Sequence, residues 1–168
     1  MGRSSRRSRR PRTPKNDPWN SLLRLLRHRP RSEYEARRRL ERQGFATDEI
    51  ERTIAQAIDA GMIDDALFAK LWVDDRLLHR PLSRRAVEVE LRDKGIEPGV
   101  IRAALDAAYP DSLEKELAWR LGRERYERLC ALERDKRSRR VADFLLRKGF
   151  SRSLAIGVVR ALEKEDTA

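Results

Sequence analysis

The feature that most restricts this chain is an internal repeat. Displaced by 51 positions, the sequence matches itself: His28, Arg29, Pro30 and Ser32 fall on His79, Arg80, Pro81 and Ser83. Leu26 falls on Leu77, Leu40 and Gly44 on Leu91 and Gly95, Ile50 on Ile101, and Ile54 on Leu105. A second displacement of 54 relates this block to a more distant third. Val87, Leu91 and Gly95 fall on Val141, Leu145 and Gly149, and Val100 and Leu105 on Leu154 and Val159. A fixed period of this kind marks stacked supersecondary units that cannot each bury an apolar face alone.

Inside each block apolar residues recur at three and four, the helical spacing, and no segment reads as a strand. The repeated positions have physical roles. Ser32 and Ser83 can accept hydrogen bonds from the first orphan N–H groups of a helix. Pro30 and Pro81 end the helix before it. Gly44, Gly95 and Gly149 supply a left-handed residue after a helix, with Phe45, Ile96 and Phe150 next to pin the turn. The third block departs most, with Arg137 where the capping serine stands in the other two.

These signals predict nine helices. The first runs from about Pro18 to His28, with Asp17 as cap. The second runs from Ser32 to Gly44. The third starts after Thr47 and Asp48 and stops at Gly61. The fourth runs from Asp64 or Asp65 to about Leu78, and the fifth from Ser83 to Gly95. The sixth runs from near Pro98 to Tyr109, and the seventh from Ser112 to about Leu132. The eighth ends at Gly149, and the ninth fills Ser151 to Glu163. The expected fold is all-α: a basic tail over 1–17, then three tandem three-helix repeats over 18–63, 64–110 and 111–168.

Charge explains the rest of the composition. Charged residues make up 40% of the 168, where about a quarter is usual; a thin-cored repeat array or a disordered segment has that surplus. Of the net +11, the tail contributes +6, from six arginines and Lys15 against Asp17. The tail lacks apolar periodicity and is expected to be disordered. The repeats are therefore mildly basic, and a polyanion is a plausible contact. No apolar run approaches the ~20 residues of a membrane span. The basic start lacks the apolar stretch of a secretory signal, and its shortage of apolar residues does not suit an amphipathic transit peptide. With Cys130 as the single cysteine, no disulfide framework exists, and a reduced cytoplasmic setting is expected.

Catalytic constellations are missing from the pattern. His28 and His79 occupy equivalent places near helix ends, where a partly charged imidazole complements the dipole. Cys130, among Leu129, Ala131 and Leu132, reads as core rather than nucleophile. Asp64 and Asp65 sit at a helix start, and Asp74 and Asp75 lie about 14 Å further along its axis, too far to share an ion. Neither a phosphate-binding glycine loop nor a Ser-His-Asp or zinc-ligand spacing is present. No catalytic residue, metal or cofactor is expected. Trp19, Trp72 and Trp119, each in the first helix of a repeat, read as packing rather than base-stacking residues.

Basic residues on the middle helix of each repeat are what remain. Arg37, Arg38 and Arg39 cluster on the second helix. Arg84, Arg85, Arg92 and Lys94 belong to the fifth. Arg134, Lys136, Arg137, Arg139, Arg140, Arg147 and Lys148 lie on or before the eighth. If the repeats stack with constant rotation, these faces line one side and form a stripe for phosphates or an acidic protein groove. For any single arginine the plainer role is a solvated face laced with i to i+4 ion pairs. The candidate contact set is Arg37, Arg38, Arg84, Arg85, Arg92, Lys94, Arg137, Arg139, Arg140 and Lys148.

The run from Gly61 to Ala69, Gly-Met-Ile-Asp-Asp-Ala-Leu-Phe-Ala, followed by Trp72-Val-Asp-Asp-Arg76, is similar to the signature of the RecX family. So are the turns at Gly44, Gly95 and Gly149 and the helix start at Arg29-Pro30-Arg31-Ser32. The resemblance covers roughly residues 18–163. It implies an elongated, curved array of three-helix repeats that binds in the groove of the RecA–DNA filament; a monomer is expected. It further implies inhibition of RecA strand exchange, ATP hydrolysis and coprotease activity, by blocking filament growth or promoting disassembly. Single- or double-stranded DNA is a further expected contact. The Arg-rich tail is an addition to that pattern. Two other readings stand beside it: a helix-turn-helix-like protein acting on naked DNA, and a metal-dependent nuclease built on the Asp64–Asp75 region.

Overall fold

The computed structural model describes residues 17–166; the basic tail, apart from Asp17, lies outside them. Among the described residues there is no strand. The helices are α1 (Pro18–Leu26), α2 (Glu33–Arg42), α3 (Thr47–Asp59), α4 (Asp65–His79), α5 (Arg84–Asp93), α6 (Pro98–Ala108), α7 (Asp111–Arg128), α8 (Arg134–Arg147) and α9 (Arg152–Glu165). They pack in consecutive triplets: α1 with α2 and α3, α4 with α5 and α6, and α7 with α8 and α9. The chain divides between Asp64 and Asp65 into two compact units. The first holds one triplet and the second holds two.

The repeated apolar positions are the core. Leu40, Leu91 and Leu145 are fully buried, as are Ala36, Val87 and Val141 one turn before them. Removing any of these leucine side chains leaves a cavity worth about 2–5 kcal/mol. In the first unit Leu22, Ile50, Ile54, Phe45 and Ile63 close around Leu40, with Trp19 packed against them. In the second unit one continuous cluster runs from Phe68 on α4 to Leu162 on α9, so its two triplets share a core.

The turn after each middle helix is built the same way. Gly44, Gly95 and Gly149 have φ of 78°, 75° and 88°. The amides of Phe45, Ile96 and Phe150 then donate back to the carbonyls of Leu40, Leu91 and Leu145 at 3.4, 3.2 and 3.2 Å. This is the Schellman arrangement, with its apolar residue buried beneath the turn.

Several expected boundaries shift. The α3 cap is Ala46, not Thr47 or Asp48; the Glu49 carboxylate accepts from the Ala46 amide at 3.0 Å. The α6 cap is Glu97, whose carboxylate accepts from Gly99 and Val100. α7 stops at Arg128, four residues short of Leu132. That places Cys130 in an exposed turn, which corrects its expected burial. Lacking a capping serine, α8 starts a full turn earlier than the repeat predicts, after Glu133. Position 137 is therefore inside the helix.

Candidate partner-binding surface on the middle helices

Ser32 and Ser83 are fully buried, and each side chain accepts from the amide three residues on, at 3.2 and 3.1 Å. These caps fix where α2 and α5 begin and thus which arginines face outward. Each middle helix is then tied to the third helix of its triplet by a polar contact. Arg37 binds Glu51 of α3, Arg84 binds Asp106 of α6, and Ser138 donates to Glu163 of α9.

These ties sort the candidate set into three groups. Arg37, Arg84 and Arg92 are neutralised in place. Arg37 also holds Glu33 at 2.8 Å, and its pKa is raised by the hydrogen bonds to Glu33 and then Glu51. Arg92 pairs with Glu88 one turn back at 2.5 Å. Lys94, Lys148 and Arg137 belong to packing. The Lys94 ammonium lies 4.9 Å from the Trp72 ring centre, and that of Lys148 lies 5.8 Å from Phe144.

Arg137 departs furthest from expectation. It is 8% exposed, so it is not a surface residue. Its guanidinium lies 3.8 Å from the Tyr126 ring centre, donates to the Tyr126 hydroxyl at 2.7 Å and binds Asp166 just past α9. Starting α8 early rotated this position inward, where it joins all three helices of its triplet. Burial pushes the Tyr126 phenol up, against the opposing pull of Arg137.

The third group faces solvent. Arg38 is exposed and donates to the Tyr34 hydroxyl at 2.9 Å, a bond that raises its pKa. Arg85, Arg139 and Arg140 are exposed and, among the described residues, have no carboxylate partner. An exposed guanidinium of this kind offers a planar, bidentate donor to a carboxylate or a phosphate.

Some residues of this surface were not legible beforehand. Tyr126 and Asp166 carry no repeat signal, because their partner Arg137 exists only in the third triplet. Arg152, the first residue of α9, is exposed and has no partner among the described residues; an arginine directly after a capping serine, as at Arg84, was the available cue. Trp72 is held against Phe68, with ring centres 5.7 Å apart. Arg76 covers its face at 4.2 Å, and its indole N–H donates to Glu90 at 2.9 Å. It staples α4 to α5. Among the described residues no group of three or more His, Cys, Asp or Glu side chains is placed to hold a metal ion. Nor is any helix there long and apolar enough to cross a membrane.

Models described as the first, second and third three-helix domains of RecX match residues 19–56, 64–105 and 113–158. The regulatory protein RecX of Streptomyces coelicolor is 36% identical over 156 residues, 92% of this chain and 82% of that one. That of Mycolicibacterium smegmatis is 38% identical over 153 residues, 89% of this chain and 81% of that one. The crystal structure of RecX from Lactobacillus salivarius superposes with a TM-score of 0.72 at 23% identity, covering 87% of this chain and 94% of that one.

Proposed function

This chain belongs to the RecX family, and from that premise we propose that it is a non-enzymatic modulator of RecA, binding the RecA–DNA filament and blocking its growth or activity. The observation that supports this is the set of exposed arginines on middle helices that have no carboxylate partner among the described residues, Arg85 on α5 and Arg139 and Arg140 on α8. They suit an acidic protein surface, DNA phosphates, or both. The relatives' names, regulatory protein RecX, accord with a role without chemistry of its own. In this reading the protein works in the cytoplasm as a monomer, and contacts spread over several filament subunits give avidity without a deep pocket.

The test is reversal of Arg85, Arg139 and Arg140 to Glu in one variant. Inhibition of RecA strand exchange and ATP hydrolysis should fall at least about tenfold, equivalent to about 1.4 kcal/mol of lost binding, with the helical circular dichroism unchanged. Unaltered inhibition would remove this surface from the mechanism. Co-sedimentation with RecA filaments, against naked duplex as control, separates this reading from a DNA-binding protein that needs no RecA.

A further inference from the structure

Within the second unit, the two triplets meet at a joint. The Ser83 amide at the start of α5 donates to the Lys148 carbonyl at the end of α8, at 3.0 Å. Beside this joint lies a groove of about 590 Å³, lined among others by Arg85, Val89, Glu114, Leu146, Phe150 and Arg152. Its walls approach closely there: a Cβ on Gly149 would lie 2.5 Å from Ser83 Oγ and 2.6 Å from Ala86 Cβ.

Two features of this groove are unusual together. Val89 and Leu146 are large aliphatic side chains left 48% and 42% exposed. Arg85 and Arg152 stand beside them with no carboxylate partner among the described residues. The first turns of α5 and α9, where these arginines sit, contain no acidic side chain. The first turn of α2, by contrast, carries Glu33 and Glu35. Among the described residues, neither Arg85 nor Arg152 is paired with a carboxylate, although Glu114 lines the same groove.

We propose that this groove docks an acidic, aliphatic segment of a partner protein, with aliphatic side chains covering Val89 and Leu146 and carboxylates bound by Arg85 and Arg152. Exposed aliphatics gain by burial against their own kind, and guanidinium pairs with carboxylate in a bidentate fork. A nucleic acid fits less well. The aliphatic side chains of Val89 and Leu146 give phosphates nothing to bind, and Phe150, at 2% exposed, presents no ring for a base to stack on. The inference rests on the reading of α5 as a partner-facing helix and adds the chemistry of what that helix faces.

The test uses the full chain, isotope-labelled for NMR, and needs no RecA. The probe is a short synthetic peptide of aspartate, glutamate, leucine and isoleucine. Controls are a polyglutamate peptide, a peptide with lysine for each acid, and a single-stranded oligothymidine. The acidic aliphatic peptide should shift the methyl signals of Val89 and Leu146 and the amides from Ser151 to Ser153. Both control peptides should bind at least about tenfold more weakly, about 1.4 kcal/mol. Arg152→Glu should reduce binding by a similar factor, and Leu146→Ser should too, both at exposed positions where the fold tolerates change.

Shifts that map elsewhere, or equal binding of polyglutamate or oligothymidine at the same signals, would overturn the proposal. Arg152 is outside the triple variant proposed for RecA inhibition, so the two readings fail separately. Arg152→Glu that loses peptide binding with RecA inhibition intact separates the groove from that inhibition; failure of the parent protein to bind the peptide, with the triple variant still losing inhibition, overturns the groove alone.

Discussion

In the second triplet the middle helix begins at Ser83, and in the third the equivalent position carries Arg137 one turn inside a longer helix. Both positions are buried, and both connect the middle helix to its surroundings, by different means. Ser83 works through the backbone: its side chain caps α5, its amide reaches Lys148, and just before it the Leu82 carbonyl accepts from the Tyr109 hydroxyl at 3.2 Å. Arg137 works through its side chain, spanning to Tyr126 on α7 and to Asp166 past α9. A cap serves only where a helix starts. Once α8 is extended, a serine there would have no orphan N–H to satisfy, whereas a long cation can reach two neighbours. The second triplet has the third against its Ser83 edge, while Arg137 draws its own triplet together from within.

The largest break in this comparison should come from Gly149→Ala. The residue has φ +88°, and the new Cβ would lie 2.6 Å from the Ala86 Cβ as well as against Ser83. Left-handed strain of about 1–2 kcal/mol and overpacking of about 1–3 kcal/mol add to roughly 3 kcal/mol lost in denaturant unfolding. Gly44→Ala, at φ +78° with open space around it, should cost only the backbone part, about 1 kcal/mol. Equal costs at the two glycines would show that the joint at Ser83 adds nothing.

Alkaline pH sharpens the same contrast. Burial pushes the Tyr109 phenol up to about 12, whereas an unfolded chain releases that proton near pH 10. Stability from the neutral phenol is thus complete below about pH 10 and is lost as pH rises to about 12, amounting to about 2 kcal/mol. Tyr109→Phe should be weaker at neutral pH, by the bond to Leu82, and should show a flatter decline over that window in pH-dependent unfolding. A decline as steep as in the parent protein would assign it to other groups.

The smallest effects compare the two equivalent positions directly. Arg137→Ala leaves the Tyr126 hydroxyl and Asp166 without their cation. Because the Asp166 side chain is 43% exposed, water recovers part of the loss, and about 2 kcal/mol is expected in thermal or denaturant unfolding. Ser83→Ala removes one cap and should cost about 1 kcal/mol. If Arg137→Ala costs no more than Ser83→Ala, the buried cation is not what closes the third triplet.

The sequence made the helices and their stops legible because these depend on neighbours in the chain. Leu40, Leu91 and Leu145 lie at the same distance before a glycine, and spacing alone placed them inside. Ser32 and Ser83 were readable as caps for the same local reason. The absence of a catalytic pattern was also a matter of residue types and spacing. The state of each arginine was not readable in this way. Arg37 and Arg84 look as available as Arg85 until α3 and α6 bring Glu51 and Asp106 against them, and a charge's partner across a helix pair is set by rotation about the axis. Tertiary packing likewise decided that Arg137 turns inward, that Cys130 stays out, and that Arg85 and Arg152, far apart in the chain, border one groove. Local hydrogen bonding fixes where a helix begins and ends; which of its faces meets solvent is fixed only when neighbouring helices compete for the same buried area.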